Sequence, residues 1–280
     1  MPPSDRRVAL VTGASRGIGR ACAQALATSG LDVAITARTL HEGDGRDDSD
    51  AGGGVPVEGS LERTAAEVEQ RGGRALQVVA DLLDHDSLRA AVATTVEMWG
   101  RLDVLVLNAV HTGPGSMLRV ADTTPETLTS KLMANAVAQL VLVQAALPVM
   151  VAGGGGRIIA ITSHAATHDP TAPVGSGGWG YAYAASKAAL HRLAGHLAVE
   201  HGQDGIVAVN VDPGHVLTER MLANAARLGL EGRYPGAPPS APAAAVAWLA
   251  TAPEAAELNG QTVSGLRLAL DRGLHPDWRR

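Results

Sequence analysis

Phenylalanine is absent from this chain, aromatic residues make up 2% of it, and Cys22 is its only cysteine. Without phenylalanine the core has to be built from alanine, valine, leucine and isoleucine. A lone cysteine excludes intramolecular disulfides and any zinc site made of several thiolates. Positive charge is scarce as well: 23 basic against 28 acidic residues leave a net charge of −5, with no basic excess to neutralise a phosphate backbone. Nucleic acid is therefore not expected as a partner. The most apolar stretch, 136–152, is short of the roughly 20 residues of a membrane span and carries Gln139, Gln144 and Pro148, so it reads as a buried helix and no membrane association is expected. The opening MPPSDRRVALV passes straight into a β-branched run without the pattern of an export signal, which makes a reducing cytoplasm the expected compartment.

What is present is a globular balance, with 46% hydrophobic and 18% charged residues over 280 positions. Open α/β folds reach this length around one continuous sheet, so a single domain, 1–280, is expected. Short aliphatic runs at 7–12, 32–38, 74–80, 102–107, 157–162 and 206–211 read as strands. Between them, 17–29, 61–71, 87–99, 125–151 and 181–201 carry apolar residues at helical spacing. Such alternation predicts an α/β fold: a doubly wound parallel sheet of Rossmann type in a three-layer α/β/α arrangement, with ligands received beyond the carboxyl ends of the strands. An acidic, glycine-rich segment, 41–60, lacks apolar periodicity and is expected to be a mobile surface insertion. Residues 217–242, one short helical pattern followed by a Gly/Pro-rich tail, are expected to form a substrate flap.

Directly after the first strand stands Thr12-Gly13-Ala14-Ser15-Arg16-Gly17-Ile18-Gly19, leading into a helix. Glycines there permit a tight turn, close approach of the backbone to a pyrophosphate and close helix-to-strand packing, while the helix N-terminus faces the negative charge. With 33 glycines in the chain, three at this spacing arise by chance about 0.5 times, so position after a strand carries the signal. Tyr183-Ala184-Ala185-Ser186-Lys187 is far more specific. The chain has three tyrosines, and Lys131 and Lys187 are its only lysines, so a Tyr four residues before a Lys is expected by chance roughly 0.02 times. On a helix the pair shares a face, and an ammonium beside a phenol lowers the phenol's pKa from about 10 and makes it a usable acid and base. Tyr181 has Ala185 at that spacing, which selects Tyr183.

These residues resemble the short-chain dehydrogenase/reductases, nicotinamide-dependent enzymes on a Rossmann sheet. The resemblance runs from about Arg6 to Val263, and TGxxxGxG falls on Thr12, Gly13, Gly17 and Gly19, the spacing of the shorter oxidoreductase branch and not of the epimerases. It implies a catalytic tetrad of Asn135, Ser163, Tyr183 and Lys187. Tyr183 would transfer the proton, Ser163 orient the substrate oxygen, Lys187 also hold the nicotinamide ribose, and Asn135 support a water relay. It further implies cofactor contacts at Asp81 and Leu82 after the third strand, at Asn108-Ala109 after the fourth, and at Pro213, Gly214, Val216 and Thr218 in a PGxVxT-like segment. Three features depart from the pattern: Leu107 and Val110 where NNAG is usual, a long interval between Ser163 and Tyr183, and the acidic insertion.

The second strand ends in Thr36-Ala37-Arg38-Thr39, without the carboxylate that would hold the ribose hydroxyls of NAD, and Arg38 and Arg16 stand ready for an additional phosphate. NADP is thus the expected cofactor. NAD stays open, because Glu42, Asp44, Asp47, Asp48 and Asp50 would discourage that phosphate if the insertion folds back. His164 and His168 offer no third ligand, so no metal is expected, and contact with substrate suits them better. His191, His196 and His201 read as surface or interface groups, and Cys22 as a small buried apolar residue. The expected function is an NADP(H)-dependent oxidoreductase that interconverts a ketone and a secondary alcohol, acting on a small molecule and assembled as a dimer or tetramer. A non-catalytic NADP-binding regulator on the same fold is the alternative.

Overall fold

A computed structural model describes residues 5–49, 53–228, 232, 235–275 and 278. Seven strands, β1 (Val8–Thr12), β2 (Asp32–Ala37), β3 (Ala75–Val79), β4 (Val104–Leu107), β5 (Gly156–Ile161), β6 (Ile206–Asp212) and β7 (Thr262–Ser264), form one parallel sheet in the order β3-β2-β1-β4-β5-β6-β7. The register sets Leu10 beside Ala34 on one side and beside Leu105 on the other.

Alternate residues along each strand serve two separate cores. Leu10, Leu105, Leu107 and Ile158 face α3 (His85–Trp99), α5 (Ala138–Ala152) and α6 (Tyr181–His201), where Leu88, Leu142 and Leu190 meet them. Val11, Ile35, Val106 and Ile161 face α1 (Gly17–Thr28), α2 (Leu61–Glu69) and α8 (Ser240–Thr251), where they meet Leu26, Val68 and Val246. Both faces are dry over the inner strands β1, β2 and β4, which is why these read as unbroken apolar runs, while the edge strands β3 and β7 are partly exposed. Each such Leu, Ile or Val contributes about 1.5–3 kcal/mol by leaving water. α8 packs against α1, and Ala23, Ala27, Ala243 and Ala250 lie in that shared core, which is how a chain without phenylalanine closes this layer.

The helix expected over 125–151 is a 28-residue run, Pro125–Ala152, long and apolar enough to cross a membrane by length and composition, with half of its most apolar window buried inside the protein. It is not uniform. α4 (Pro125–Leu132) passes into α5 through a π-helical turn, Met133–Val137, a device that commonly sits at functional positions. α3 starts before the expected Ser87 because the Asp84 carboxylate caps it, accepting from the amides of Asp86 and Ser87. β7, α8 and α9 (Gly265–Asp271) were outside the expected elements: β7 has three residues, and α8 is apolar all round and shows no stripe.

Two expected loops are better ordered than bare coil. In the insertion, Asp47 N donates to Val55 O and Val57 N to Gly45 O, with Arg46 and Pro56 bridged antiparallel, so its described limbs form a ribbon. That ribbon is anchored at Gly59, whose φ of +107° and missing Cβ allow it to lie against the Ser15 carbonyl. Residues 50–52, including Asp50, lie outside the described residues. In the flap, α7 (Glu219–Leu228) is followed by a parallel bridge from Val216 to Ala237, and α8 already begins at Ser240; residues 229–231, 233 and 234 lie outside the described residues.

Candidate active site

The strand order reverses between β1 and β4, and a cleft of about 510 Å³ opens above their carboxyl ends. One wall is the β1–α1 turn, with Gly13, Ser15, Arg16, Gly17 and Ile18. Asp81, Leu82, Asn108 and Ala109 form another, and Tyr183, Lys187, Pro213 and Thr218 close the far end. Gly19, Gly214 and Val216, expected as cofactor contacts, do not line it. A Cβ on Gly19 would collide with the Gly13 carbonyl, Gly214 packs under Leu266, and Val216 is 4% exposed beside the bridge to Ala237. These three shape the turns that carry their neighbours.

Thr12 and Asn108 clasp the two central strands. Thr12 Oγ1 donates to Val106 O and accepts from the amides of Asn108 and Ala109 at 3.0 Å, while Asn108 Nδ2 donates to Thr12 O at 2.8 Å. Their polar atoms fix the floor of the cleft. Ala109, the residue before Val110, packs directly on Gly13.

The amide of Gly17, first of α1, donates to Glu219 Oε2 at 2.8 Å, and the other Glu219 oxygen pairs with Arg20. An intramolecular carboxylate thus sits at the positive end of α1, where the turn is suited to a pyrophosphate. The donor set and the shape of the turn fit a dinucleotide.

At the far end, α6 carries Tyr183 and Lys187 into the cleft. Lys187 Nζ donates to the Ile161 carbonyl at 2.8 Å, and burial draws its pKa down to about 8. The Tyr183 phenol is not lowered as the Tyr–Lys spacing predicts. Burial pushes it above its ordinary value, against the opposing hydrogen bond with Ser163 and with further raising by the Asp212 charge. Desolvation is the largest cause of the shift, and the Lys187 amine, itself desolvated, is turned to the Ile161 carbonyl. Ser163 follows β5 and its Oγ accepts from Ala165 N, capping a short 3₁₀ turn, His164–Ala166.

Asn135, 1% exposed, is aimed by the π turn. Its Oδ1 accepts from His111 N at 2.7 Å and its Nδ2 donates to Ser186 Oγ at 3.0 Å, which in turn donates to Tyr183 O. Ser186 had no signal in the sequence beyond its place inside YAASK. His111 is half-buried in the cleft wall, its pKa lowered by burial and then by the Lys131 charge. Lys131 is fully buried and ties the 111–116 segment together through His111 O, Gly113 O and Ser116 Oγ. His164 and His168 stack at 3.8 Å between centroids, with Trp179 edge-on to His164. Cys22 lies on the buried face of α1, its thiol pushed up to about 12 by burial.

The opposite end of the cleft is crowded with charge. Arg38 Nη2 pairs with Asp48 Oδ2 at 2.9 Å and reaches Thr112 Oγ1 at 3.3 Å, while the Thr112 hydroxyl donates to Asp48 Oδ1. Arg16 is turned to the insertion: Nε donates to Glu58 O and Nη2 to Gly59 O, both at 2.8 Å. Arg220, on α7, pairs with the fully buried Asp47 at 3.6 Å and also lines the cleft. Asp48, Thr112, Arg220 and Glu219 were not among the expected cofactor contacts, because their partners come from distant parts of the chain.

The family model for short chain dehydrogenase matches residues 7–45 and 56–227, so that the tip of the insertion, 46–55, is the one internal stretch it passes over. Oxidoreductase UcpA of Salmonella typhimurium is 34% identical over 212 residues, covering 76% of this chain and 70% of that protein. An uncharacterized NAD-dependent oxidoreductase of Mycobacterium tuberculosis is 34% identical over 241 residues, covering 82% of this chain and 78% of its own. Among solved structures, a short chain dehydrogenase from Mycobacterium paratuberculosis bound to NAD aligns with a TM-score of 0.73 at 28% identity, over 93% of this chain and 98% of that one.

Proposed function

The chain belongs to the short-chain dehydrogenase family, and we propose that it interconverts a ketone and a secondary alcohol with Tyr183 as the proton-transferring group. It is an oxidoreductase that depends on a nicotinamide cofactor. The observation that carries the reading is the single cleft that has the glycine turn of α1 at one wall and Tyr183 with Lys187 at the other, so that proton and hydride reach one carbon–oxygen bond.

A bound nicotinamide dinucleotide supplies or accepts the hydride. Tyr183, a protonated phenol whose pKa burial raises further, donates its proton to the carbonyl oxygen, and Ser163 orients that oxygen through the same hydrogen-bonded pair. Lys187, its pKa drawn to about 8, returns the proton to Tyr183 and holds the nicotinamide ribose. Asn135, clamped between His111 N and Ser186, fixes the far end of this relay. His164, His168 and Trp179, packed ring on ring after Ser163, are the groups we assign to the substrate mouth.

For the second nicotinamide dinucleotide, NADP, the favouring observation is the gathering of Arg16, Arg38, Arg46 and Arg220 at the adenosine end. Weighing against it, Arg38 and Arg220 already have acidic partners. A non-catalytic regulator is not favoured, since all four expected catalytic side chains are present. Val137 at the end of the π turn, with Leu140 and Leu147 on α5, facing Leu193 on α6, leaves an apolar groove that we assign to a second copy of this chain in a dimer or tetramer. The buried thiol of Cys22 fits a reducing cytoplasm.

The test is turnover of a panel of ketones and alcohols by the wild type and by Tyr183→Phe, alongside titration of NADH fluorescence. Turnover is expected only in the wild type, and cofactor binding in both. Retained turnover in the variant would sink the assignment.

A further inference from the structure

In a nicotinamide dinucleotide site of this fold, the end of the second strand reads the adenosine ribose: a carboxylate there accepts from its hydroxyls, and a guanidinium welcomes a phosphate in place of one of them. β2 of this chain ends in Ala37-Arg38-Thr39, with no acid. The acid arrives from elsewhere. The insertion folds back, and Asp48 reaches Arg38 Nη2 at 2.9 Å while its second oxygen accepts from Thr112, in the segment after β4. Asp48 thereby spans the cleft between the ends of β2 and β4, and it lines the cleft together with Arg38 and Thr39.

We propose that Asp48 is the residue that selects the cofactor, a carboxylate delivered by the insertion to the place where β2 lacks one, and that it makes the protein specific for NAD. The inference rests on the dinucleotide reading of the cleft. Asp48 acts twice. Its pairing takes Arg38 away from an incoming phosphate, and its own charge repels that phosphate at hydrogen-bonding distance, while a ribose hydroxyl finds an acceptor. Burial opposes the charge on Asp48, but the hydrogen bonds from Thr112 and Arg38 prevail and hold its carboxyl below the ordinary value. Arg16 does not restore the balance, because its guanidinium is spent on the carbonyls of Glu58 and Gly59.

The decisive experiment is a fluorescence titration of the full chain with NADH and with NADPH. The wild type is expected to bind NADH at least tenfold more tightly. In Asp48→Asn the ratio of the two dissociation constants shifts toward NADPH by at least tenfold, Asp48→Glu keeps the wild-type preference, and Asp44→Asn, another acid of the same ribbon in the cleft wall, moves the ratio less than twofold. Adding Arg38→Ala to Asp48→Asn abolishes the gain for NADPH. A wild type that prefers NADPH, or an unchanged ratio in Asp48→Asn, overturns the proposal and leaves the dehydrogenase reading standing; binding of neither nucleotide defeats both. Because the readout is a ratio, a variant whose ribbon loosens and weakens both nucleotides equally counts against Asp48.

Discussion

The two ends of the cleft are built on different principles. At the nicotinamide end, Lys187 and Asn135 are almost fully buried, sit inside helical segments and hold fixed partners: the Ile161 carbonyl for one, His111 N and Ser186 for the other. At the adenosine end, Arg38 and Asp48 are 50% and 35% exposed in their side chains, and they meet only because an insertion folds back over the sheet. On the proposed function, chemistry falls to groups that cannot move without unpacking a core, and choice of ligand to groups that solvent and sequence change easily reach.

That division predicts effects of different kind and size. Tyr183→Phe is expected to lower turnover about 10²–10⁴-fold with an unchanged dissociation constant for NADH, which steady-state rates and fluorescence titration together would reveal. Lys187→Met sits where the two functions overlap, so it is expected to lose turnover on the same scale and, unlike Tyr183→Phe, to weaken NADH as well. If Lys187→Met spared nucleotide affinity, the nicotinamide end would be a purely proton-handling device.

Ser186→Ala tests how rigid that end is. Removing the hydroxyl leaves Asn135 Nδ2 without its partner in a buried site, and the amide loses its fixed orientation behind Tyr183. Turnover is expected to drop on the order of tenfold, less than for a group that touches substrate, with KM unchanged and with recovery in Ser186→Thr. A change confined to thermal stability would make Ser186 a packing residue only.

The contrast also explains what could be read from the sequence. Tyr183 and Lys187 were legible because four residues on a helix place two side chains on one face whatever else the protein does, and the strand runs were legible because both sheet faces are dry. Asn135 lies in the expected helix, yet nothing in Met133-Ala134-Asn135-Ala136-Val137 announces a π turn, whose cause is the packing around it. The alanine-rich α8 has no polar face to give it a period. Asp48 stood among several acids of the insertion, and only the folded chain singles it out by bringing Arg38 and Thr112 to it. The phenol of Tyr183 shows the limit of local logic: spacing set it one helical turn before Lys187, but burial set the direction of its shift.

Glu219→Gln probes the boundary between the ends. The Glu219 carboxylate accepts from Gly17 N and pairs with Arg20, occupying the donor that a pyrophosphate would use. Neutralising it removes a competitor for the positive end of α1, a contribution of about 0.3–1 kcal/mol, so NADH is expected to bind about two- to fivefold more tightly, with the gain shrinking at high salt. Weaker binding would mean that Glu219 holds α7 closed over the nucleotide.

The last test is a titration. Since Lys131 and Lys187 are the only lysines, side-chain ¹⁵N labelling of lysine leaves two ammonium signals, and Lys187→Arg assigns them. The Lys187 signal is expected to titrate at about 8, because burial disfavours its charge. The sign follows from linkage. The unfolded chain keeps this amine near its ordinary value of 10.5, so between about 8 and 10.5 the unfolded state binds more protons and stability rises with pH. The whole penalty, on the order of 3 kcal/mol, is present below pH 8, where the folded protein must keep a charged ammonium buried against the Ile161 carbonyl. The stability of the wild type, read by denaturation, should therefore gain on that of Lys187→Met as pH rises from 7 to 10. A parallel course would place the amine's pKa near its ordinary value and overturn the shift that burial imposes.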